Sequence, residues 1–151
     1  MRETKKTMCS IGDIIVVRNY ITEDGTKSPR HSFIVVEDEC GEIYGLSYDF
    51  VANVMSSIKS EEHKAKKLRF IENLFISSDD MDVDRNNGKD AYIKADQLYY
   101  FDKSKTDYFV LGKAEQNVID ELMDLLELLE KKGLLKQVIA NLKTEQENPG
   151  D

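Results

Sequence analysis

Hydrophobic positions fall into two regimes along this chain. Up to about residue 112 they come as short β-branched or aromatic runs broken by Gly, Pro, Asp and Asn, which predicts strands and turns. Residues 14–17, "IIVV", form the first run, entered through the turn signal "IGD". "ITEDGTKSP" reads as a loop, with Asp24-Gly25 as its turn and Pro29 as a breaker. Residues 33–36 predict a second strand, "DECGE" a turn, and residues 43–46 a short third strand. Val51, Val54 and Ile58 are compatible with a further strand over residues 51–58. Residues 60–69 read instead as a helix, with Ser60 as N-cap and Glu62 in its first turn. Strands resume at residues 73–77, in "AYIKADQLYYF" and in "DYFVLG", the last two rich in the aromatics that suit sheets.

From Ala114 the spacing changes. Val118, Ile119, Leu122, Met123, Leu125, Leu126 and Leu129 recur at helical intervals, so a helix is expected over about residues 114–132. Gly133 ends it, and "LLKQVIANL" predicts a second, shorter helix. The last residues, "TEQENPGD", offer nothing to a core and are expected to be disordered. The pattern is mainly β with α: five or six short strands, one inserted helix and a C-terminal helix pair. Strands of this length point to a small barrel or sandwich capped by helices. One domain is expected over residues 1–143, with a tail at 144–151.

Composition narrows the function classes. A chain of 151 residues is long enough for one real core. Its formal net charge of −8 makes it a poor general binder of nucleic acid, so any such role needs a local basic patch. The longest apolar runs, "IIVV" and "FIVV", are far too short for a bilayer, and the charged start "MRETKKTMCS" leads into no apolar segment. Cys9 and Cys40 are too few for a disulfide scaffold and lack metal-ligand spacing. The expectation is a cytoplasmic protein with reduced thiols, no membrane contact, no metal and no cofactor.

Three stretches carry candidate chemistry. "KSPRHSFIVVEDE" loads Arg30 and His31 onto the mouth of a strand. Arginine is always charged and offers a planar fork of donors, suited to holding a phosphate and the charge that develops on it. Histidine suits proton transfer, but neighbouring strand residues face opposite ways. An Arg30 already in strand and facing a cleft would leave His31 structural. The second stretch sets Lys59, Lys64, Lys66, Lys67 and Arg69 against Glu61 and Glu62, five cations to two anions, a local excess of +3. It fits a strip tracking a single-stranded backbone and equally a solvated helix face. The third, "DDMDVDRNNGKD", alternates Asp80, Asp82 and Asp84 like a calcium loop. It is rejected, because Arg85 stands where Gly is required and Ala91 where Glu is required.

Four segments, in order, resemble the MazF/PemK-type toxins of bacterial toxin–antitoxin systems, which share an SH3-like barrel with the CcdB toxins. "IGDIIVV" is similar to the family's opening Gly-Asp strand. "PRHSFIVVEDE" is similar to its Arg-Pro-Val-Val-Ile strand, "AYIKADQLYYFDKSK" to the strand and turn ending in Asp-Lys-Ser, and "VLGKAEQNVIDELMDLL" to the lead into its last helix. The order holds over residues 11–129. The loop before Arg30 lacks the family's Gly-Gly-rich form, residues 47–90 are longer than usual, and a Pro usually stands at position 31.

The resemblance implies an SH3-like antiparallel barrel and a homodimer that cuts single-stranded RNA without a metal and is blocked by an antitoxin protein. It implies that Arg30 stabilises the transition state, with a hydroxyl from Ser56 or Ser57 assisting. The basic run, which has no counterpart of the same length in the typical toxin, enters by its charge instead: Lys59, Lys64, Lys66, Lys67 and Arg69, with Lys27, would hold the RNA. The rival expectation is a non-catalytic SH3-like barrel, regulatory or phage-encoded, that binds a protein or a nucleic acid. The acidic balance and the missing glycines favour that rival.

Overall fold

The β-branched and aromatic runs do become strands. The computed structural model describes residues 9–22, 24–83 and 89–140. In chain order the strands are β1 (Asp13–Val17), β2 (Tyr20–Ile21), β3 (Lys27–Ser28), β4 (His31–Glu37), β5 (Gly41–Ile43), β6 (Leu46–Tyr48) and β7 (Phe50–Ser57). Helix α1 (Glu61–Leu68) follows, then β8 (Asn73–Ile76), β9 (Met81–Val83), β10 (Ala91–Phe101) and β11 (Tyr108–Ala114). Helix α2 (Gln116–Lys131) and β12 (Lys136–Ile139) close the described chain.

Eight strands form one sheet in the order β12-β10-β7-β4-β1-β11-β9, with β8 also paired to β10. All its pairings are antiparallel except β10 with β12. The sheet curls into a half-barrel. The expected mainly β architecture with a curled antiparallel sheet is therefore present. The tail at 144–151 lies outside the described residues. No helix among them is long and apolar enough to cross a membrane.

The apolar runs are unbroken because the middle strands are covered on both faces. Alternate residues feed two clusters, as the pleat requires. Ile14, Ile34, Ile93, Val118, Leu122 and Leu129 belong to one, Ile15, Val17, Phe33, Val35, Phe50 and Phe101 to the other. Helix α2 contributes Val118, Leu122 and Leu129, spaced to share one face. Gly12, at φ 93°, explains the "IGD" signal: a side chain there would collide with Ile119 of α2, and its conformation is one that glycine adopts freely.

Two expected elements are corrected. Residues 43–46 are not a strand but the tip of the β5–β6 hairpin. Tyr44 and Gly45 take φ of 54° and 81°, the positive values that a two-residue primed turn demands at both central positions. Within the expected helix over residues 134–142, Lys136–Ile139 form strand β12, and residues 141–142 lie outside the described ones. Gly133, at φ 70°, ends α2 in a Schellman cap: its N–H donates to the Glu130 carbonyl at 3.0 Å and the Leu134 N–H to the Leu129 carbonyl at 2.9 Å. The chain then turns back, and residues 136–139 lie parallel to residues 97–100 of β10. An open strand edge outweighs a weak helical period in a segment this short.

The sheet also holds one large irregularity. Strand β10 pairs with β7 at Ile93↔Met55 and again at Leu98↔Asn53, so residues 94–97 stand against Val54 alone. The carbonyls left without ladder partners are collected by one buried side chain. Asn53 Nδ2 donates to the carbonyls of Lys94 (3.1 Å), Ala95 (3.2 Å) and Gln97 (2.6 Å). Two hydrogens serve three acceptors, so one bond is shared, and Asn53 Oδ1 is left buried without a partner. Unsatisfied buried carbonyls are costly, so Asn53→Ala is expected to lower stability by about 2 kcal/mol or more. Urea unfolding checks this; an unchanged midpoint would show that the bulge does not depend on Asn53.

The thiols differ sharply. Burial pushes the Cys9 thiol above its ordinary range, against an opposing hydrogen bond with Tyr108, while Cys40 is exposed. A thiol-reactive chromophore should titrate one cysteine in the native protein and both after denaturation. Fast labelling of both in the native state would contradict the packing of Cys9.

Candidate functional site

The antiparallel pairings bring three strand ends together. The start of β4 lies beside the end of β7, through Ser32↔Met55, and the end of β7 lies beside the start of β10, through Ser56↔Tyr92 and Ser57↔Ala91. Arg30 immediately precedes β4. Three residues after β7, Ser60 caps α1, accepting the His63 N–H at 3.0 Å. At this end of the sheet lies a cleft of about 940 Å³.

Its walls carry Arg30 and His31 from the β4 entry, Ser56 and Ser57 from the end of β7, and Tyr92 from β10. From the α1 side come Lys59, His63 and Lys67; Asp82 and Lys89 complete the charged lining. Four cations, Arg30, Lys59, Lys67 and Lys89, stand against the one carboxylate of Asp82, an excess of +3 in a chain of net −8. Among the described residues no ion pair engages Arg30. A shallower recess of about 620 Å³ shares Ser57, Lys59 and Lys89 with the cleft. Such an arrangement can hold an anion of more than one phosphate.

Hydrogen bonds set the chemistry of the two imidazoles. His31 Nδ1 lies 3.1 Å from the Pro29 carbonyl. A carbonyl only accepts, so Nδ1 carries the hydrogen and Nε2 of the neutral ring keeps its lone pair. The His31 ring also meets Tyr20 edge-on at 6.3 Å. At His63 the assignment reverses. The Lys59 N–H donates to His63 Nδ1 at 3.1 Å, so the neutral ring carries its proton on Nε2. This is a capping box with imidazole in place of the usual Glu or Gln, reaching one residue further back. The His63 ring leans on Tyr92, 6.1 Å between centroids.

Five residues proposed from sequence therefore meet in the cleft: Arg30, Ser56, Ser57, Lys59 and Lys67. Four do not line it. Lys27 pairs with Ile21 in the β2–β3 ribbon. Lys64 Nζ sits over the Phe75 ring at 4.2 Å, and the Arg69 guanidinium over Phe70 at 5.3 Å, cation–π contacts away from the cleft. Lys66 projects from α1 into solvent, whereas Lys64 and Lys67 are half-buried, so the lysines do not form one solvated face.

The sequence reading set His31 aside, weighed Asp82 only as part of a calcium loop, and passed over His63, Lys89 and Tyr92 as site residues. The alternation argument against His31 does not apply, because Arg30 lies outside β4 and the pleat does not govern it. For His63 a signal existed: His63 and Lys67 are spaced by four within α1 and share one stripe of it. Asp82 and Lys89 fall in the run weighed above only as a calcium loop and Tyr92 in a strand, and nothing local joins them to Arg30. Among the described residues no three His, Cys, Asp or Glu side chains gather as a metal would require.

Compared with known protein families, with curated proteins and with solved structures, the chain gives no match in any of the three.

The partition of the cations is testable with a single-stranded oligodeoxynucleotide, which offers phosphates without a 2′-hydroxyl. Lys59→Ala and Lys67→Ala should weaken its binding and each lower the log–log salt slope by about 0.7. Lys66→Ala and Arg69→Ala should change neither. Fluorescence anisotropy across a salt series decides; equal losses in all four would place the contact on the whole helix rather than in the cleft.

Proposed function

We propose that this chain is a MazF/PemK-like endoribonuclease on an SH3-like barrel, cutting single-stranded RNA in the cleft without a metal. The observation that carries the reading is convergence. Arg30, Ser56 and Ser57, singled out by motif, share one cleft with Lys59 and Lys67, singled out by charge. The RNA 2′-hydroxyl attacks the adjacent phosphorus; the O2′–P bond forms and the P–O5′ bond breaks, leaving a 2′,3′-cyclic phosphate and a 5′-hydroxyl. Arg30 presents its fork to the phosphorane, where charge-assisted donors are strongest. A serine hydroxyl from Ser56 or Ser57 bonds a phosphate oxygen or the attacking hydroxyl. A homodimer and an inhibiting antitoxin belong to the same proposal, as does a cytoplasmic setting.

The acidic balance of the chain favours a second reading, a binding module that uses the same cleft without cutting. Cleavage of a mixed-sequence single-stranded RNA in EDTA separates the two. Wild type should cut. Arg30→Ala, with its fold verified by circular dichroism, should lose on the order of a hundred-fold or more, as removal of one transition-state donor does. Arg30→Lys should recover only part, since it keeps the charge and loses the fork. Full activity in folded Arg30→Ala would remove Arg30 from the site. Loss of wild-type activity in EDTA would refute the metal-free mechanism, and no cleavage by well-folded wild type across many RNAs would favour the binding module.

A further inference from the structure

RNA cleavage by an internal hydroxyl needs a group that takes a proton, and the two serines and the cations of the cleft are poorly fitted to it. A guanidinium cannot be deprotonated in a protein, and an ammonium has no lone pair. Two imidazoles and one carboxylate, Asp82, remain in the lining. The imidazoles are held in opposite tautomers by main-chain groups: the Pro29 carbonyl takes the Nδ1 hydrogen of His31, and the Lys59 N–H occupies Nδ1 of His63.

We propose that His31 is the general base of the cleavage and His63 a neutral hydrogen-bond donor to the phosphate, a division of labour that rests on the endoribonuclease reading above. The Pro29 carbonyl orients His31 and stabilises the imidazolium that forms, since Nδ1–H stays bonded to it throughout. Tyr20, buried beneath the ring edge, limits how the ring can turn. His31 Nε2 takes the proton of the 2′-hydroxyl as O2′ bonds to phosphorus. The P–O5′ bond breaks with its electron pair on O5′, which takes a proton from water; the hydroxide so formed takes the proton back from His31. His63 Nε2–H donates to a phosphate oxygen and transfers nothing. The charged groups around the pair are Arg30, Lys59, Lys67, Lys89 and Asp82, with the Tyr20 and Tyr92 hydroxyl-bearing rings packed against the two imidazoles. Their net positive charge favours the negative charge that develops on the phosphorane.

Full-length His31→Ala and His31→Asn, His63→Ala and His63→Gln, and Asp82→Asn test this on one single-stranded RNA. Asparagine can still donate to the Pro29 carbonyl without offering a basic nitrogen, and so guards against a misfolded alanine variant. Both His31 variants should lose a factor of about 10² to 10⁴ in kcat. Both should bind a 2′-O-methyl RNA of the same sequence as wild type does. Added imidazole should restore part of the rate to His31→Ala. His63→Gln should keep most of the activity that His63→Ala loses, because an amide donates a hydrogen bond but not a proton. Wild-type rates in folded His31 variants, with the loss falling on Asp82→Asn instead, would overturn the assignment. So would a His31 defect that lies wholly in binding and ignores imidazole. Failure of wild type to cut any RNA removes the parent reading itself. Cleavage by wild type and by His31→Ala alike removes only this proposal.

Discussion

Strand β10 can serve both halves of the sheet only because Asn53 holds its bulge. The strand pairs with β7 in two registers, and the extra residues between them turn carbonyls inward, where no ladder partner exists. In a buried position those carbonyls need a donor, and the Asn53 amide, fully inside the protein, is placed to supply it. Much follows from that one side chain. Residues 91–94 stay in register with Ser56 and Ser57 and carry β8 on their other edge, while residues 97–100 take β12 on that same edge. The floor of the cleft and the docking of the C-terminal strand thus share a support. The orphaned Oδ1 shows that the arrangement is tolerated for its geometry rather than optimised for hydrogen bonding.

Legibility from sequence followed the range of the interactions. The helical stripe of α2, the Ser60 cap and the β-branched runs depend on neighbours within a turn or a pleat, and each was readable. Asn53 was not: inside "FVANVM" a lone amide looks like a flaw in a buried strand, and only the opposing bulge gives it a purpose. Strand β12 was missed for a similar reason. "LLKQVIANL" has enough helical spacing to suggest a helix, and what makes it a strand is the free edge of β10, encoded about forty residues earlier. The hairpin at Tyr44 failed more locally, since a tyrosine at positive φ is rare and leaves little compositional trace.

The candidate site divides in the same way. Arg30 and the two serines were reachable from motif, but their meeting depends on β4 and β7 running antiparallel across one end of the sheet. The cations of residues 59–69 looked equivalent as a charge run. Helical phase separates those on α1: Lys67 shares the stripe of His63, and Lys64 falls beside it onto Phe75, while Lys59 stands before the Ser60 cap and reaches the cleft from outside the helix. For His31 the alternation rule of strands decides nothing, because its predecessor Arg30 is still in the loop. One residue of uncertainty in a strand boundary reverses such an inference.

The charge of the whole chain and the charge of the cleft point in opposite directions, and distance decides between them. At physiological salt, charges are screened over roughly 8 Å. A phosphate inside the cleft therefore responds to Arg30, Lys59, Lys67 and Lys89 within its reach. Glu115, Asp120, Glu121, Asp124, Glu127 and Glu130 around α2 are exposed and do not line the cleft. Net charge still governs encounter at longer range, where an acidic surface slows the approach of a polyanion. The two scales together favour a ligand that can thread a flexible segment into the cleft while the rest of its length stays away from the acidic surface. A single strand can bend to do so, whereas a duplex, stiff over many tens of base pairs, would carry its charge along that surface.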